Sequence, residues 1–294
     1  MFLLAFSDSE PLAGRLAQEL QLPSATVDLH RFPDGESRVR LPSSLPDQVL
    51  ICRTLCDPDH RLVELMLAAR CARDCGARHL TLVAPYLCYM RQDRAFVPGE
   101  AVSQRIVGDF LAGIFDAVIT ADPHLHRVHS LSDAVPAGLA RAVSAAPAVG
   151  EFLASRLDRV ILLGPDAESR QWVSIAGEHA GFPFDVATKT RHGDRDVSIH
   201  LPDRDWQDAH VVLVDDVAAS GGTLATAART LKASGADRVD AVVTHALFAG
   251  DAIDVLRDAG IGEIWSSDSI PHGSNAFSLA PALAAACREA AIGA

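Results

Sequence analysis

The stretch of this chain best suited to chemistry is Val211-Val212-Leu213-Val214-Asp215-Asp216-Val217-Ala218-Ala219-Ser220-Gly221-Gly222-Thr223-Leu224. Its apolar start predicts a strand, two carboxylates follow, and small residues then lead into a helix. Successive N–H groups at a helix start make an anion cradle, here across Ala219, Ser220, Gly221 and Gly222, with the Thr223 hydroxyl beside them. Asp215 and Asp216, just upstream, are placed to accept from hydroxyls on the same ligand, so a sugar phosphate fits. An acidic strand end followed by an ordinarily capped helix accounts for the same residues without a ligand. A second signal is scarcity: of 26 cationic residues only Lys189 and Lys232 are lysines. A site that needs a compact, mobile ammonium is one reason to keep Lys where Arg is otherwise used.

Other chemistries are excluded by what is missing. Neither lysine follows the glycine that a P-loop requires, and no GxSxG, HExxH or GxGxxG occurs. The cysteines Cys52, Cys56, Cys71, Cys75, Cys88 and Cys287 contain no CxxC and no disulfide-framework spacing, so they read as buried small hydrophobes in a reducing compartment. A zinc site built from Cys52, Cys56, Cys71 and Cys75 is the alternative. The formal net charge of -12 offers no basic surface to a polynucleotide or an anionic membrane. The apolar start, Met1 to Phe6, is too short for a signal segment, and no run approaches the ~18 apolar residues of a membrane span. A cytoplasmic protein is expected.

The elements that must position these residues alternate between short apolar strands and amphipathic helices. Strands are expected at 2–6, 48–53, 79–84 and 116–120, with helices at 11–20, 59–75 and 102–113. The rhythm restarts with strands at 159–163, 184–188, 211–214, 238–243 and 263–265 and helices at 167–180 and 221–234. Strands that are apolar without alternation are those of a parallel sheet covered on both faces, so each half is an α/β layer. The chain length of 294 residues suits two domains. They are expected at 1–140 and 141–277, joined by an Ala-, Pro- and Gly-rich linker near 135–148. A C-terminal helix over 278–294, with Leu279, Leu283, Cys287 and Ala291 at helical spacing, is expected to pack on the first.

The 211–224 stretch resembles the phosphoribosyl-diphosphate-binding loop shared by type I phosphoribosyltransferases and ribose-phosphate pyrophosphokinases. Further segments resemble the pyrophosphokinases specifically: Arg31-Phe32-Pro33-Asp34-Gly35-Glu36, Pro85-Tyr86 through Arg91-Gln92-Asp93, Asp122-Pro123-His124, and Gly164-Pro165-Asp166-Ala167. Leu65 to Leu67 and Ala280-Pro281-Ala282-Leu283 extend the likeness along most of the chain.

The resemblance implies two phosphoribosyltransferase-like, doubly wound domains and a homo-oligomer, at least a dimer, in which Phe32, Asp34 and Glu36 form an adenine-binding loop offered to a neighbouring subunit. It further implies that Arg91, Gln92, Asp93 and His124 bind ATP and that His124 and Asp166 line a Mg²⁺ site. Asp215, Asp216, Ala219, Ser220, Gly221, Gly222 and Thr223 would hold ribose 5-phosphate, and Lys189 and Arg191 would be catalytic residues on a flexible loop. The implied reaction moves the diphosphoryl group of ATP to ribose 5-phosphate. His126 and His129 match no family role and read as surface residues, and Lys232 suits a helix C-terminus.

Two departures from the family pattern stand out. Ala219 replaces an acid that many members carry, which leaves a silent regulatory subunit as a rival reading. A type I phosphoribosyltransferase is the other. The segment from Arg94 to Glu100 lacks the basic run of phosphate-activated members, so such regulation is expected to be missing.

Overall fold

A computed structural model describes residues 1–191 and 197–292, with the side chains at positions 191, 197 and 292 outside the description. The described chain divides into two compact units, Met1–Val143 with Leu279–Ala294, and Ser144–Ser278.

The first unit runs β1 (Phe2–Ala5), α1 (Glu10–Leu20), β2 (Ser24–Thr26), β3 (Asp28–Arg31), β4 (Ser37–Arg40), β5 (Gln48–Cys52), α2 (Pro58–Asp74), β6 (His79–Ala84), α3 (Ser103–Ala112), β7 (Ala117–Ala121), α4 (Leu131–Ala134) and β8 (Leu139–Val143). Six strands make one parallel sheet in the order β2-β1-β5-β6-β7-β8. Leu4, Ile51, Leu80, Leu82 and Val118 are fully buried in it, packed against Leu65, Ala68, Ala69 and Ala72 of α2. Burial of such side chains contributes roughly 1.5–3 kcal/mol each.

The second unit repeats the plan: α5 (Ala146–Ala154), β9 (Ile161–Gly164), α6 (Arg170–Ala180), β10 (Phe184–Val186), β11 (Thr188–Arg191), β12 (Val197–His200), β13 (His210–Ala218), α7 (Gly222–Ala233), β14 (Arg238–Ala246), α8 (Ala252–Asp258), β15 (Ile261–Ser267) and β16 (Asn275–Phe277). Its parallel sheet has the order β10-β9-β13-β14-β15-β16. Strand for strand this matches the first sheet. In each unit an antiparallel hairpin, β3–β4 or β11–β12, leaves directly after the edge strand. The last helix, α9 (Ala280–Ile292), returns to the first unit and packs on α1, β7 and β8.

Several expectations are corrected. Residues 139–143, read as linker, form β8: Leu139 through Val143 pair in register with Ala117 through Ala121 and complete the sheet. The strand expected to stop at Val214 continues to Ala218, because Asp215, Val217 and Ala218 keep pairing with Val243, His245 and Ala246. Both hairpins were hidden by their polar sequences. Among the described residues no helix is long and apolar enough to cross a membrane. All six cysteines are free, and burial pushes the Cys88 and Cys287 thiols up to about 12.

Candidate active site

In parallel α/β sheets, ligands bind beyond the carboxyl ends of the strands. In the second unit β9 ends at Gly164 and the chain turns through Asp166, whose carboxylate accepts from the Glu168 N–H at 3.1 Å while the Ser169 hydroxyl donates to the Asp166 carbonyl at 2.6 Å. This capped turn fixes Asp166 at the sheet's carboxyl edge. Lys189, on β11, reaches over it: its Nζ lies 3.3 Å from Asp166 Oδ2 and 3.0 Å from Thr223 Oγ1. With its side chain only 16% exposed, Lys189 is held and not trailing in solvent.

Asp215 and Asp216 lie near the end of β13, and the Asp216 N–H donates to Asp215 Oδ1 at 3.0 Å. Burial, together with the charges of Asp216 and Asp166, raises the Asp215 carboxyl well above its ordinary range. Three carboxylates converge here with one ammonium among them. The loop beyond them turns at Gly221, where φ is 73° and an added Cβ would approach the Leu256 side chain at 3.1 Å. Only glycine satisfies both conditions. Main-chain donors from Phe248 and Ala249 reach the Ala218 and Ala219 carbonyls, each at 2.9 Å, and brace the loop from behind. The structure therefore brings Asp166, Lys189, Asp215, Asp216 and the 219–223 loop together within one unit. The Arg191 side chain and His192-Gly193-Asp194 lie outside the described residues.

The first unit carries the other candidates at three places. Phe32, Asp34 and Glu36 form the tip of the β3–β4 hairpin. The Phe32 N–H donates to the Glu36 carbonyl at 2.8 Å, the Gly35 N–H to the Phe32 carbonyl at 2.9 Å, and the Glu36 N–H to Asp34 Oδ1 at 3.1 Å. Gly35 takes a φ of 94° in this turn. The ring of Phe32 is 41% exposed, its edge contact being His30 at 4.8 Å between centroids. An aromatic face presented by a rigid turn is a stacking surface.

Arg91 is exposed beyond β6. The Gln92 amide is engaged at both ends, donating to Glu100 Oε1 at 2.8 Å and accepting from the Ser103 hydroxyl at 2.6 Å. The Asp93 side chain, 1% exposed, is taken up by Arg127. His124, after β7, lies in edge contact with His126 at 4.4 Å. The sequence reading passed over Glu100 and Arg127, which order these loops, as well as Glu64 and Arg53 behind the hairpin. For Glu64 and Arg127 the sequence carries no signal, because their partners lie tens of residues away.

Residues 1–114 match the N-terminal domain of ribose phosphate pyrophosphokinase, and residues 142–255 match the phosphoribosyl transferase domain. A ribose-phosphate pyrophosphokinase of Methanopyrus kandleri is 37% identical over 97% of this chain and 98% of its own length. One from Methanosarcina acetivorans is 33% identical over 96% of this chain and 97% of its own. The crystal structure of phosphoribosylpyrophosphate synthetase from Mycobacterium smegmatis shares the fold, with a TM-score of 0.82 at 22% identity, covering 100% of this chain and 99% of that one. With near-complete coverage and both domains matched in order, the chain belongs to the ribose-phosphate pyrophosphokinase family.

Proposed function

We propose that the chain, an enzyme of this family, transfers the β,γ-diphosphoryl group of ATP to the anomeric hydroxyl of ribose 5-phosphate, giving 5-phosphoribosyl 1-diphosphate and AMP. The observation that carries the reading is the Lys189 ammonium, set between the Asp166 carboxylate and the Thr223 hydroxyl of the phosphate loop. A phosphate cradled by that loop lies within its reach.

The 5-phosphate takes the N–H groups of Ala219 to Gly222 and the Thr223 hydroxyl, while Asp215 and Asp216 accept from the ribose diol. That fixes the anomeric oxygen for in-line attack on the β-phosphorus. Phe32 stacks on the base with Asp34 and Glu36 as acceptors, and Arg91 meets the ATP phosphates with Gln92 beside it. As the bond to the AMP oxygen breaks, Lys189 and Arg191 stabilise the charge that develops.

Mg²⁺ fits the donor set: Asp166, Asp215 and Asp216 are hard oxygen donors, and the burial and neighbouring charges that raise the Asp215 carboxyl would be offset by a cation. Asp166 is the residue proposed to hold it; the His124 imidazole suits this ion less well. When bound, the metal neutralises phosphate oxygens. A homo-oligomer acting on these two small substrates, with neither nucleic acid nor membrane as partner, completes the reading, and a cytoplasmic location goes with it.

Ala219 favours a second reading, a catalytically weak subunit. Incubation with ribose 5-phosphate, ATP and Mg²⁺ decides between them: AMP forms on the first reading, and its formation is lost in Lys189→Ala. No AMP, together with a variant indistinguishable from the parent, sinks the enzymatic reading.

A further inference from the structure

Behind the Phe32 hairpin lies a buried ion cluster that touches none of the candidate ligand groups. Glu64 projects from α2 with its side chain 2% exposed, and its two oxygens do different jobs. Oε2 takes the Arg53 guanidinium at 2.6 Å, and Oε1 accepts from the Ser37 hydroxyl at 2.8 Å and from Arg31 Nη2 at 3.3 Å. Arg31 and Ser37 face each other as the last rung of the β3–β4 ladder, the pair from which the 32–36 turn springs. One carboxylate oxygen thus grips both strands at the mouth of the turn.

Arg53, also 2% exposed, is committed on every side. It donates to Asp8 Oδ2 from Nε at 3.2 Å and from Nη2 at 3.0 Å, gives Nη1 to the Arg61 carbonyl at 3.2 Å, and lies 3.9 Å from the Phe6 ring centroid. The Arg61 side chain closes on Asp8 at 3.6 Å. Burying such a pair costs desolvation that apolar residues of similar size would avoid, so stability alone is a poor reason for it. Directional grip on a projecting hairpin is a better one, because an apolar contact would leave the hairpin free to slide.

We propose that Glu64, keyed by Arg53, is a positioning residue that fixes the hairpin tip and so sets the affinity for ATP without touching it. This rests on the reading of the tip as the adenine site. The grip on the hairpin comes through Ser37 and Arg31, whose removal leaves the Arg53–Glu64 pair intact.

The test measures Ser37→Ala, Ser37→Thr, Arg31→Met and Glu64→Gln in the full-length enzyme for the KM of each substrate, and by hydrogen exchange at the Phe32 and Gly35 amides. Ser37→Ala and Arg31→Met should each raise the KM for ATP about 3- to 10-fold, a fraction of what a hydrogen bond to a charged group is worth, because the loss reaches ATP only through the hairpin tip. The KM for ribose 5-phosphate should stay within twofold. Exchange at both amides should quicken, and Ser37→Thr, which keeps the hydroxyl, should restore both readouts. In the Glu64→Gln background, which keeps an oxygen for Ser37 but loses the charge, Ser37→Ala should cost less than in the parent. Unchanged exchange in Ser37→Ala, or an unchanged KM for ATP in an active Ser37→Ala/Arg31→Met enzyme, overturns the inference. Quickened exchange in a chain that makes no AMP would instead count against the adenine reading and leave the grip standing.

Discussion

Arg127 donates twice to Asp93: its main-chain N–H to Oδ2 at 3.2 Å and its guanidinium to Oδ1 at 2.7 Å. One buried carboxylate thereby ties the segment after His124 to the segment that presents Arg91 and Gln92. Arg127→Ala leaves Asp93 with one donor in place of two, which should cost about 2 kcal/mol of stability. It should also raise the KM for ATP more than that for ribose 5-phosphate. Thermal unfolding and steady-state kinetics on the same preparation check this, and equal changes in both KM values would argue against a local effect.

Lys189 lies against both Asp166 and Thr223, and on the function proposed its charge serves the transferring group, so removing that charge should affect transfer more than sugar binding. Lys189→Met is expected to lower kcat by roughly 100- to 1,000-fold, as loss of a single charge-stabilising donor does in other enzymes. Ribose 5-phosphate binding, followed by calorimetry, should weaken far less. A variant that loses binding and keeps kcat would assign the lysine to the sugar phosphate.

Asp215 is penalised for ionising by burial and by the neighbouring charges of Asp216 and Asp166. Its folded-state pKa lies above the unfolded one, so the group costs the fold nothing below the unfolded value, and the penalty grows as pH rises from there through the folded value. Asp215→Asn should therefore increase Tm while reducing activity, with stability and function pulling in opposite directions. Added Mg²⁺ should stabilise the parent more than the variant. A fall in Tm would show that the carboxylate is needed for folding.

Burial alone would discourage ionisation of Glu64, but hydrogen bonds from Arg53 and Ser37, with the Arg53 charge, outweigh it and hold the carboxyl below its ordinary value of 4.5. The folded pKa is depressed, so the resulting stabilisation is complete above that ordinary value and is lost as pH falls through the folded one. Acid unfolding followed by circular dichroism should show a steeper loss below about pH 4.5 in the parent than in Glu64→Gln. Parallel curves would remove Glu64 from the acid transition.

Where phosphate-activated relatives carry a basic run, this chain has Arg94-Ala95-Phe96-Val97-Pro98-Gly99-Glu100. Glu100 folds back on this segment, accepting from the Phe96 and Val97 N–H groups at 2.6 and 3.2 Å. Added phosphate should therefore leave the rate unchanged or lower it by competition. Strong activation would require another phosphate site.

The sheets were legible because parallel strands buried on both faces leave unbroken apolar runs, as in Val211 to Val214 or Val49 to Cys52. The 219–223 loop was legible for a related reason: small residues between an acidic strand end and a helix leave few alternatives. The hairpins were not, since Asp28 to Arg31 and Ser37 to Arg40 are largely polar and half exposed and imitate loops. β8 was missed because Leu139 to Val143 sits at a sheet edge, where alanine and arginine suffice. Neither Glu64 nor Arg127 could be assigned from sequence. Each owes its meaning to a partner tens of residues away, Ser37 and Arg31 for the one and Asp93 for the other.

Each unit inserts a hairpin at the same point of the same sheet, one tipped with Phe32 and the other carrying Lys189. A scaffold built twice allows a division of labour: on the function proposed, choice of nucleotide and delivery of charge would be written into two separate appendages. On that reading, donor preference should change when residues 32–36 and their anchor are rewritten, with Lys189 left untouched.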